Sequence, residues 1–525
     1  MAAAPAVAAA PGPDTQAIAA VLGDREPEKP PASLAVRSLP LAAILVAQVA
    51  MSIPLLRSNT AFGDEALYLW SGHLEWAHWL HGARIPAFQT WFSGAPVLYP
   101  PIGAIADSIG GLLAARILSL GFMLGCTVLL WATAARLYGR RAALFAAGLF
   151  VMLGVTLHLS AFATYDPMAL FLAALATWCV VRAPRTRKGD SARWIVGAAL
   201  ALALADATKY AVALFDPVVV AVAVLNAVPA LGWRPAMRRG ILLTGCIAGI
   251  LLALLRLGGS WYEVGIGQTT TMRAGGSDTA AAVLLDSWRW TAPVVVLAAA
   301  ALAIELVRRA DMPAALLILV LAGAALLAPV EQARIHTTVS LVKHVDFGAW
   351  FAAIAAGYAL AMASGWVRAR MARMAVTALV AVAVVPLAAI GITQSREFVN
   401  WPDSSRLMAA IRPLTDHGGR FLAETSDVPE YYLPATTWRQ WSNTFSITLP
   451  SGIARYEHGS PEPYIQAIKH HYFSVVILDF TDTTRQDEVI AGYLRSDPSY
   501  RQVQVRRFPN QLQYYVWRYV PQRGR

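Results

Sequence analysis

Apolar runs long enough to cross a bilayer recur through most of the chain, and no other feature limits its possible folds so severely. They lie near 38–56, 104–134, 142–158, 166–182, 194–207, 211–229, 240–257, 291–307, 313–330, 346–365 and 374–394. A helix needs about 20 such residues to traverse a hydrocarbon core about 30 Å thick. Lipid offers no partner to a backbone N–H or C=O, so each run must satisfy its own hydrogen bonds, as an α-helix does. The expected fold is therefore an all-α polytopic membrane domain of about eleven spans. Of these, 142–158 and 194–207 are short, and are expected to be tilted, broken or partly re-entrant. A composition of 57% hydrophobic and 14% charged residues over 525 positions, with a mean hydropathy of +0.49, lies outside the range of soluble domains.

Arginine and lysine set the orientation. One parity of short loops holds Arg136, Arg140 and Arg141, then Arg182, Arg185, Arg187, Lys188 and Arg193, then Arg234, Arg238 and Arg239, then Arg308 and Arg309, then Arg368, Arg370 and Arg373. Positive residues stay on the cytoplasmic side. The other loops, at 57–103, 158–166, 207–210, 258–290 and 331–345, then face outward, as does everything after 395. The localisation expected is a multi-pass protein of the plasma (inner) membrane. The net charge of +11 is divided among these loops and forms no single stripe, so a nucleic-acid partner is not expected. Cys126, Cys179 and Cys246 lie inside the apolar runs and suggest neither a disulfide framework nor a thiolate cluster.

Three regions follow. Residues 1–35, rich in Ala and Pro, read as a disordered cytoplasmic tail, and 36–395 as the membrane domain. From 396 to 525 charges of both signs enter helical and alternating patterns, as in a small extracytoplasmic α/β domain. Its buried strand is FSVVILDF at 473–480, with a helix at 485–494 and strands at 500–507 and 511–519. Asp479 and Asp482, at a strand end, suit turn capping better than a ligand cleft.

The outer loops hold the polar residues of interest. Carboxylates just past the outer ends of spans, at Asp64-Glu65 and Asp166, are functional candidates by default. From Asp64 an interfacial helix is expected, with Leu67, Trp70, Leu74 and Ala77 along one face and Ser71, Glu75 and His78 toward another. A helix N-cap is the plainer reading of Asp64 and of Asp166, which precedes Pro167. His73, His78 and His81 lack a fourth ligand at metal-binding spacing, so no metal site is assigned. Lys209 lies in a short outer turn between two spans. Snorkelling to the headgroups is its plainer role, and Asp206 one turn earlier is a candidate partner.

An Asp-Glu pair opening the first outer loop is followed by Tyr99-Pro100-Pro101, by Ala114-Ala115-Arg116-Ile117-Leu118-Ser119 and by Leu137-Tyr138-Gly139-Arg140. Asp166 follows Ala-Thr-Tyr, and Thr208-Lys209 lies between two spans. In this order the motifs resemble those of the polyprenyl-phosphate-dependent glycosyltransferases, the GT-C superfamily that includes protein O-mannosyltransferases and lipid A aminoarabinose transferases. The resemblance covers roughly residues 40–230. It implies Asp64 as general base, with Glu65 and Asp166 as further catalytic carboxylates positioning the acceptor, the sugar or Asp64 itself. Lys209, Lys343, His344 and Arg334 are the implied donor-phosphate ligands, and Tyr99, Tyr165 and Glu331 the substrate-binding candidates. Expected partners are a polyprenyl-phosphate-linked sugar, a glycan, lipid or protein acceptor, and membrane lipids. No cofactor is required, though a bridging divalent cation is compatible with the carboxylates.

The chemistry is consistent with that assignment. A phosphodiester of charge about −1 becomes a monoester approaching −2 as the sugar leaves, and fixed cations that meet the growing charge lower the barrier. A single carboxylate base implies inversion at the anomeric carbon. The segment EQARIHTTVSLVKHVDF at 331–347 lacks the Arg-Tyr and Leu-Pro pattern expected of aminoarabinose transferases, so the reaction class carries over and the substrate does not. The competing reading is a transporter or flippase of a lipid-linked or anionic solute, which requires an inverted repeat and ionisable residues at mid-span.

Overall fold

A computed structural model describes residues 34–183, 191–270, 272, 275–308, 311–366, 370–415, 418–444, 460–481, 483–503 and 513–521. Residues 1–33 of the proposed tail at 1–35 lie outside these, as do Arg185, Arg187, Lys188, Arg273, Arg309, Arg368 and Asp482, and the last two tail residues begin helix Leu34–Leu56.

Among the described residues seven helices are long and apolar enough to cross a membrane: Ser38–Leu56, Tyr99–Tyr138, Tyr210–Leu231, Trp233–Gly258, Ala280–Val307, Met312–Arg334 and Leu341–Ser364. The other expected runs differ. The run at 142–158 is broken at Met152–Leu153 into helices Arg140–Val151 and Gly154–Leu159. Asp166–Arg182 and Ala192–Thr208 have 17 residues each, about 25 Å of rise. The last run lies in helix Arg370–Glu397. Helix Tyr99–Tyr138 is two helices joined at Gly110–Gly111, where Gly111 has φ +64°. Only glycine takes that left-handed turn without cost, and it lets the outer segment from Tyr99 depart from the axis of the span that follows.

Inside the bundle, Asp166–Arg182 packs against both Ala192–Thr208 and Tyr99–Tyr138, while Leu341–Trp366 is wrapped by Ala280–Val307, Met312–Arg334 and Arg140–Val151. The outer helix Gly63–His81 lies on the Tyr99 segment and beneath a short helix of the carboxy-terminal region, Asp427–Tyr432. Its buried face therefore includes Ala66, Tyr68, Leu69, Ser71, Gly72 and Glu75. Protein covers the face on which Ser71 and Glu75 lie, which corrects the expectation that these two turn away from the apolar side.

The carboxy-terminal region carries a five-stranded sheet: β1 Phe421–Ala423, β2 Trp441–Asn443, β3 Val475–Leu478, β4 Tyr500–Val503 and β5 Tyr515–Tyr519, in the order β2-β1-β3-β5-β4. β1 runs parallel to β2 and β3, whereas β5 is antiparallel to β3 and β4. The strand period of two sorts its residues. Phe421, Ala423, Val475, Ile477 and Val516 pack with Leu407, Met408 and Val428, while Leu422, Val476, Leu478 and Trp517 pack with Ile468, Ile490 and Leu494. With both faces covered, β3 is apolar throughout, as FSVVILDF implies. The expected helix at 485–494 is Thr484–Ser496. The expected strand at 500–507 is described only as far as Val503, and residues 504–512 lie outside the described residues.

Candidate active site

Four charged side chains meet where several helices end. Asp64 stands in the first turn of helix Gly63–His81, and Asp166 opens helix Asp166–Arg182. Neither is an N-cap: the residues in that place are Phe62 and Tyr165, with no side-chain cap bond. The carboxylates are thus spared from capping while still facing the positive end of a helix dipole. The Lys343 ammonium donates to Asp64 Oδ2, and the Lys209 ammonium donates to Asp166 Oδ1. Lys209 pairs with Asp166, 43 residues away, and not with Asp206 one turn earlier. The two pairs are close enough for each to feel the other's charges. Tyr165 lies under Lys209, whose Nζ is 4.9 Å from the ring centre, and packs on Tyr68 at 4.4 Å between centroids.

The pairs differ in accessibility. Asp166 and Lys209 are both buried, and among the described residues Asp166 Oδ2 has no hydrogen-bond partner. The Asp64 side chain is 37% exposed.

A strap from the first outer loop fixes Lys209. The Ala95 amide donates to Ala207 O at 2.7 Å, and the Tyr210 amide donates to Ser93 O at 2.8 Å. Between them Gly94 lies so close that a Cβ there would stand 2.1 Å from Thr208 O. Helix Ala192–Thr208 ends at Lys209, whose backbone is extended, and a 3-10 turn, Tyr210–Phe215, follows. The strap was not anticipated from sequence; the small-residue run Ser93-Gly94-Ala95 amid bulky neighbours was its one signal.

Glu65 departs from its expected catalytic role. It is fully buried and grips Arg116 with both oxygens, from Nε at 2.8 Å and Nη2 at 2.7 Å, while Oε1 also accepts the Ala163 amide at 2.7 Å. Arg116 donates onward to the carbonyls of Leu56, Asn59 and Thr60 and lies 4.9 Å from the Phe162 ring centre. This is a fastener joining two outer loops to two helices. All five Arg116 N–H groups are engaged, and Glu65 accepts three hydrogen bonds.

A cavity of about 360 Å³ is lined by Tyr165, Lys209, Tyr210, Glu331, Arg334 and His344, among others. Five of these six were site candidates from sequence. Arg334 and Glu331 pair at its exposed rim, at 2.9 and 2.5 Å, and His344 Nδ1 is 2.5 Å from Gln332 Nε2. Tyr99 does not line it: its ring is fully buried edge-on to Tyr68, in the aromatic cluster under the outer loop. A second cavity of about 760 Å³, almost wholly apolar, is lined by residues including Val97, Leu251, Leu255 and Ile266. Tyr210 and Thr270 belong to both cavities.

The segment after Gly258 holds a helix, Ser260–Thr269, and the Gly276 and Asp278 amides donate to Ile335 O and His336 O. Much of the loop at 258–290 is therefore anchored. The three loop histidines are not gathered: His73 bonds Asp107 at 2.7 Å and His78 bonds Ala83 O at 2.8 Å. Among the described residues the acidic group with cation-binding spacing is Glu424, Asp479 and Asp487, with one oxygen of each within 4.8 Å of the others. It belongs to the sheet domain. Glu424 already accepts the amides of Asp479, Thr481 and Thr483.

Residues 102–256 match the family described as dolichyl-phosphate-mannose-protein mannosyltransferase. No curated protein matches the chain in sequence. Among solved structures, ArnT from Cupriavidus metallidurans bound to undecaprenyl phosphate is similar with a TM-score of 0.57 and 14% identity, over 91% of this chain and 98% of that one. The archaeal oligosaccharyltransferase AglB from Archaeoglobus fulgidus, in complex with an inhibitory peptide and a dolichol-phosphate, is similar with a TM-score of 0.53 and 14% identity, over 92% of this chain and 74% of that one. An oligosaccharyltransferase of Archaeoglobus fulgidus in complex with Zn and sulfate gives a TM-score of 0.53 and 16% identity, over 86% and 70% of the two chains. At these identities the likeness to solved structures is one of fold. The chain thus shares its fold with these membrane proteins, and its residues 102–256 resemble the mannosyltransferase family.

Proposed function

We propose that the protein moves a sugar from a polyprenyl phosphate to an acceptor hydroxyl at the outer face of the plasma (inner) membrane, with inversion and with Asp64 as general base. The observation that carries this reading is the junction at Tyr210 and Thr270. There a cavity lined by Lys209, Arg334 and His344 and a more apolar groove share two wall residues. A charged headgroup on a long hydrocarbon tail requires that combination, and the ArnT and AglB structures hold lipids of this kind.

In the reaction the acceptor oxygen forms a bond to the anomeric carbon, the bond from that carbon to the phosphate oxygen breaks, and its electron pair leaves on the phosphate. The acceptor proton passes to Asp64 Oδ1, the oxygen not held by Lys343. Lys343 orients the carboxylate, and Lys209 with Arg334 meets the charge gathering on the departing phosphate. Glu65 is consumed by Arg116, and Asp166 is buried against Lys209. Of the three expected carboxylates Asp64 alone is reachable, and a single base supports direct displacement. The carboxy-terminal sheet domain and its connecting helices lie on the same outer side. A transporter would place its ionisable residues at mid-span, whereas Asp64, Asp166, Lys209 and Lys343 all stand at or near helix ends.

The test uses the full chain in proteoliposomes, with polyprenyl-phosphate sugars extracted from source membranes. Asp64→Asn should lower transfer by about 10²–10⁴-fold while binding of undecaprenyl phosphate stays within about twofold of wild type. Full turnover in that variant removes Asp64 as the base.

A further inference from the structure

The carboxy-terminal domain is built into the surroundings of Asp64. Ala61 and Ala66, either side of that residue, belong to the same core cluster as Met408, Phe421, Val428 and Leu433. The Ala61 amide donates to Tyr432 Oη at 2.9 Å, and Tyr431 Oη donates to Asp107 at 2.6 Å, where the other carboxylate oxygen takes His73. Directly beside the base, a Cβ on Gly63 would stand 3.1 Å from Thr425 Cγ2. Two residues beyond Thr425 is Asp427, the first residue of helix Asp427–Tyr432.

Asp427 is partly exposed, and its carboxyl makes no hydrogen bond or ion pair among the described residues. Burial, and then the charge of Asp64, push it up to about 7. The packing of Gly63 on Thr425, and of Ala61 and Ala66 with Val428, brings these two carboxyl-bearing turns side by side. One carboxyl, that of Asp64, is oriented by an ammonium. The other has no partner among the described residues.

We infer that Asp427 is a specificity-determining residue that accepts a hydrogen bond from a second hydroxyl of a sugar or polyol acceptor, the first hydroxyl being the one activated by Asp64. A serine or threonine side chain offers one hydroxyl and satisfies Asp64 alone. A sugar presents neighbouring hydroxyls on a rigid ring, and leaves neither carboxyl without a donor. A bound acceptor would cover this partly exposed carboxyl, and an acceptor group so covered without a donor is costly, so the carboxyl discriminates against acceptors with a single hydroxyl.

This inference rests on the proposed transfer, and the assay separates the two. Methyl glycosides and a threonine-containing peptide serve as acceptor probes, with the extracted polyprenyl-phosphate sugars as donors. Wild type should prefer the glycosides. Asp427→Asn should raise the glycoside KM by about tenfold, the loss of one hydrogen bond to a charged group, with donor KM unchanged and melting temperature retained. Asp427→Glu should recover part of the loss. A glycoside KM within twofold of wild type in Asp427→Asn, while Asp64→Asn is inactive, overturns the inference and leaves the transfer reading standing. So does equal use of the peptide by wild type. Turnover retained in Asp64→Asn overturns the transfer reading itself. A cation taken up at Asp427 instead of a hydroxyl would appear as glycoside transfer that a chelator abolishes in wild type but not in Asp427→Asn, and this too overturns the inference.

Discussion

Asp64 and Glu65 differ by one methylene and one position, and their surroundings have almost nothing in common. A step of one residue turns a helix by about 100°. Here it takes a side chain from a partly exposed position, with a single ammonium contact, into a closed knot with a doubly bonded guanidinium and a backbone amide. A catalytic base needs a free lone pair and a path for the substrate. A fastener needs both oxygens engaged. On the proposed function, adjacent acids in one motif divide between chemistry and scaffold, and the fastener holds fixed the loop that presents Asp64.

Substitution at the two positions should separate the roles. Glu65→Gln leaves the buried Arg116 without its counter-charge. It should cost about 3–5 kcal/mol of stability, read as a large fall in melting temperature in detergent, with activity following the folded fraction. Asp64→Asn should lose turnover with a smaller fall in melting temperature, because the buried Lys343 ammonium it leaves behind still has the charge of Asp166 nearby. Equal melting losses in both variants would erase the distinction.

Lys209 combines both roles and sharpens the contrast. Lys209→Ala should weaken donor use and also strand the buried Asp166. The double variant Asp166→Ala/Lys209→Ala should regain much of the stability, since it removes the unpaired charge, without regaining turnover. Recovery of activity in the double variant would reduce Lys209 to a structural partner.

The smallest effect is expected at Asp487, a third kind of acid. It is buried beside Glu424 and takes the Thr483 hydroxyl at 3.0 Å. Burial, and then Glu424, raise it to about 8. The folded domain keeps a proton that the unfolded chain releases above pH about 4, so its stability falls as pH climbs from about 4 to about 8. Asp487→Asn should narrow the difference in melting temperature between pH 5 and pH 8. An unchanged difference would refute the assignment.

Much of this arrangement was legible beforehand, for reasons that also explain what was missed. Apolar runs report spans because lipid leaves the backbone no alternative, and FSVVILDF reports a strand covered on both faces. The motif order led to Asp64, Asp166 and Lys209. The partners were not legible: Lys343 reaches Asp64 across 279 positions, and a lone sequence carries no trace of that pairing. Arg116 stood inside a quoted motif without a role, since its three carbonyl acceptors are backbone atoms common to every residue. The outer helix was assigned a lipid-facing stripe, and the covering domain that buries its other side was encoded more than 300 residues downstream.

The sharing of Tyr210 and Thr270 by the Lys209 cavity and the apolar groove has a kinetic consequence. A carrier lipid entering sideways keeps its tail among other tails for the whole journey and never pays for exposure to water. Supply is then two-dimensional: turnover should follow the mole fraction of carrier in its leaflet, and diluting the vesicles in buffer should leave it untouched.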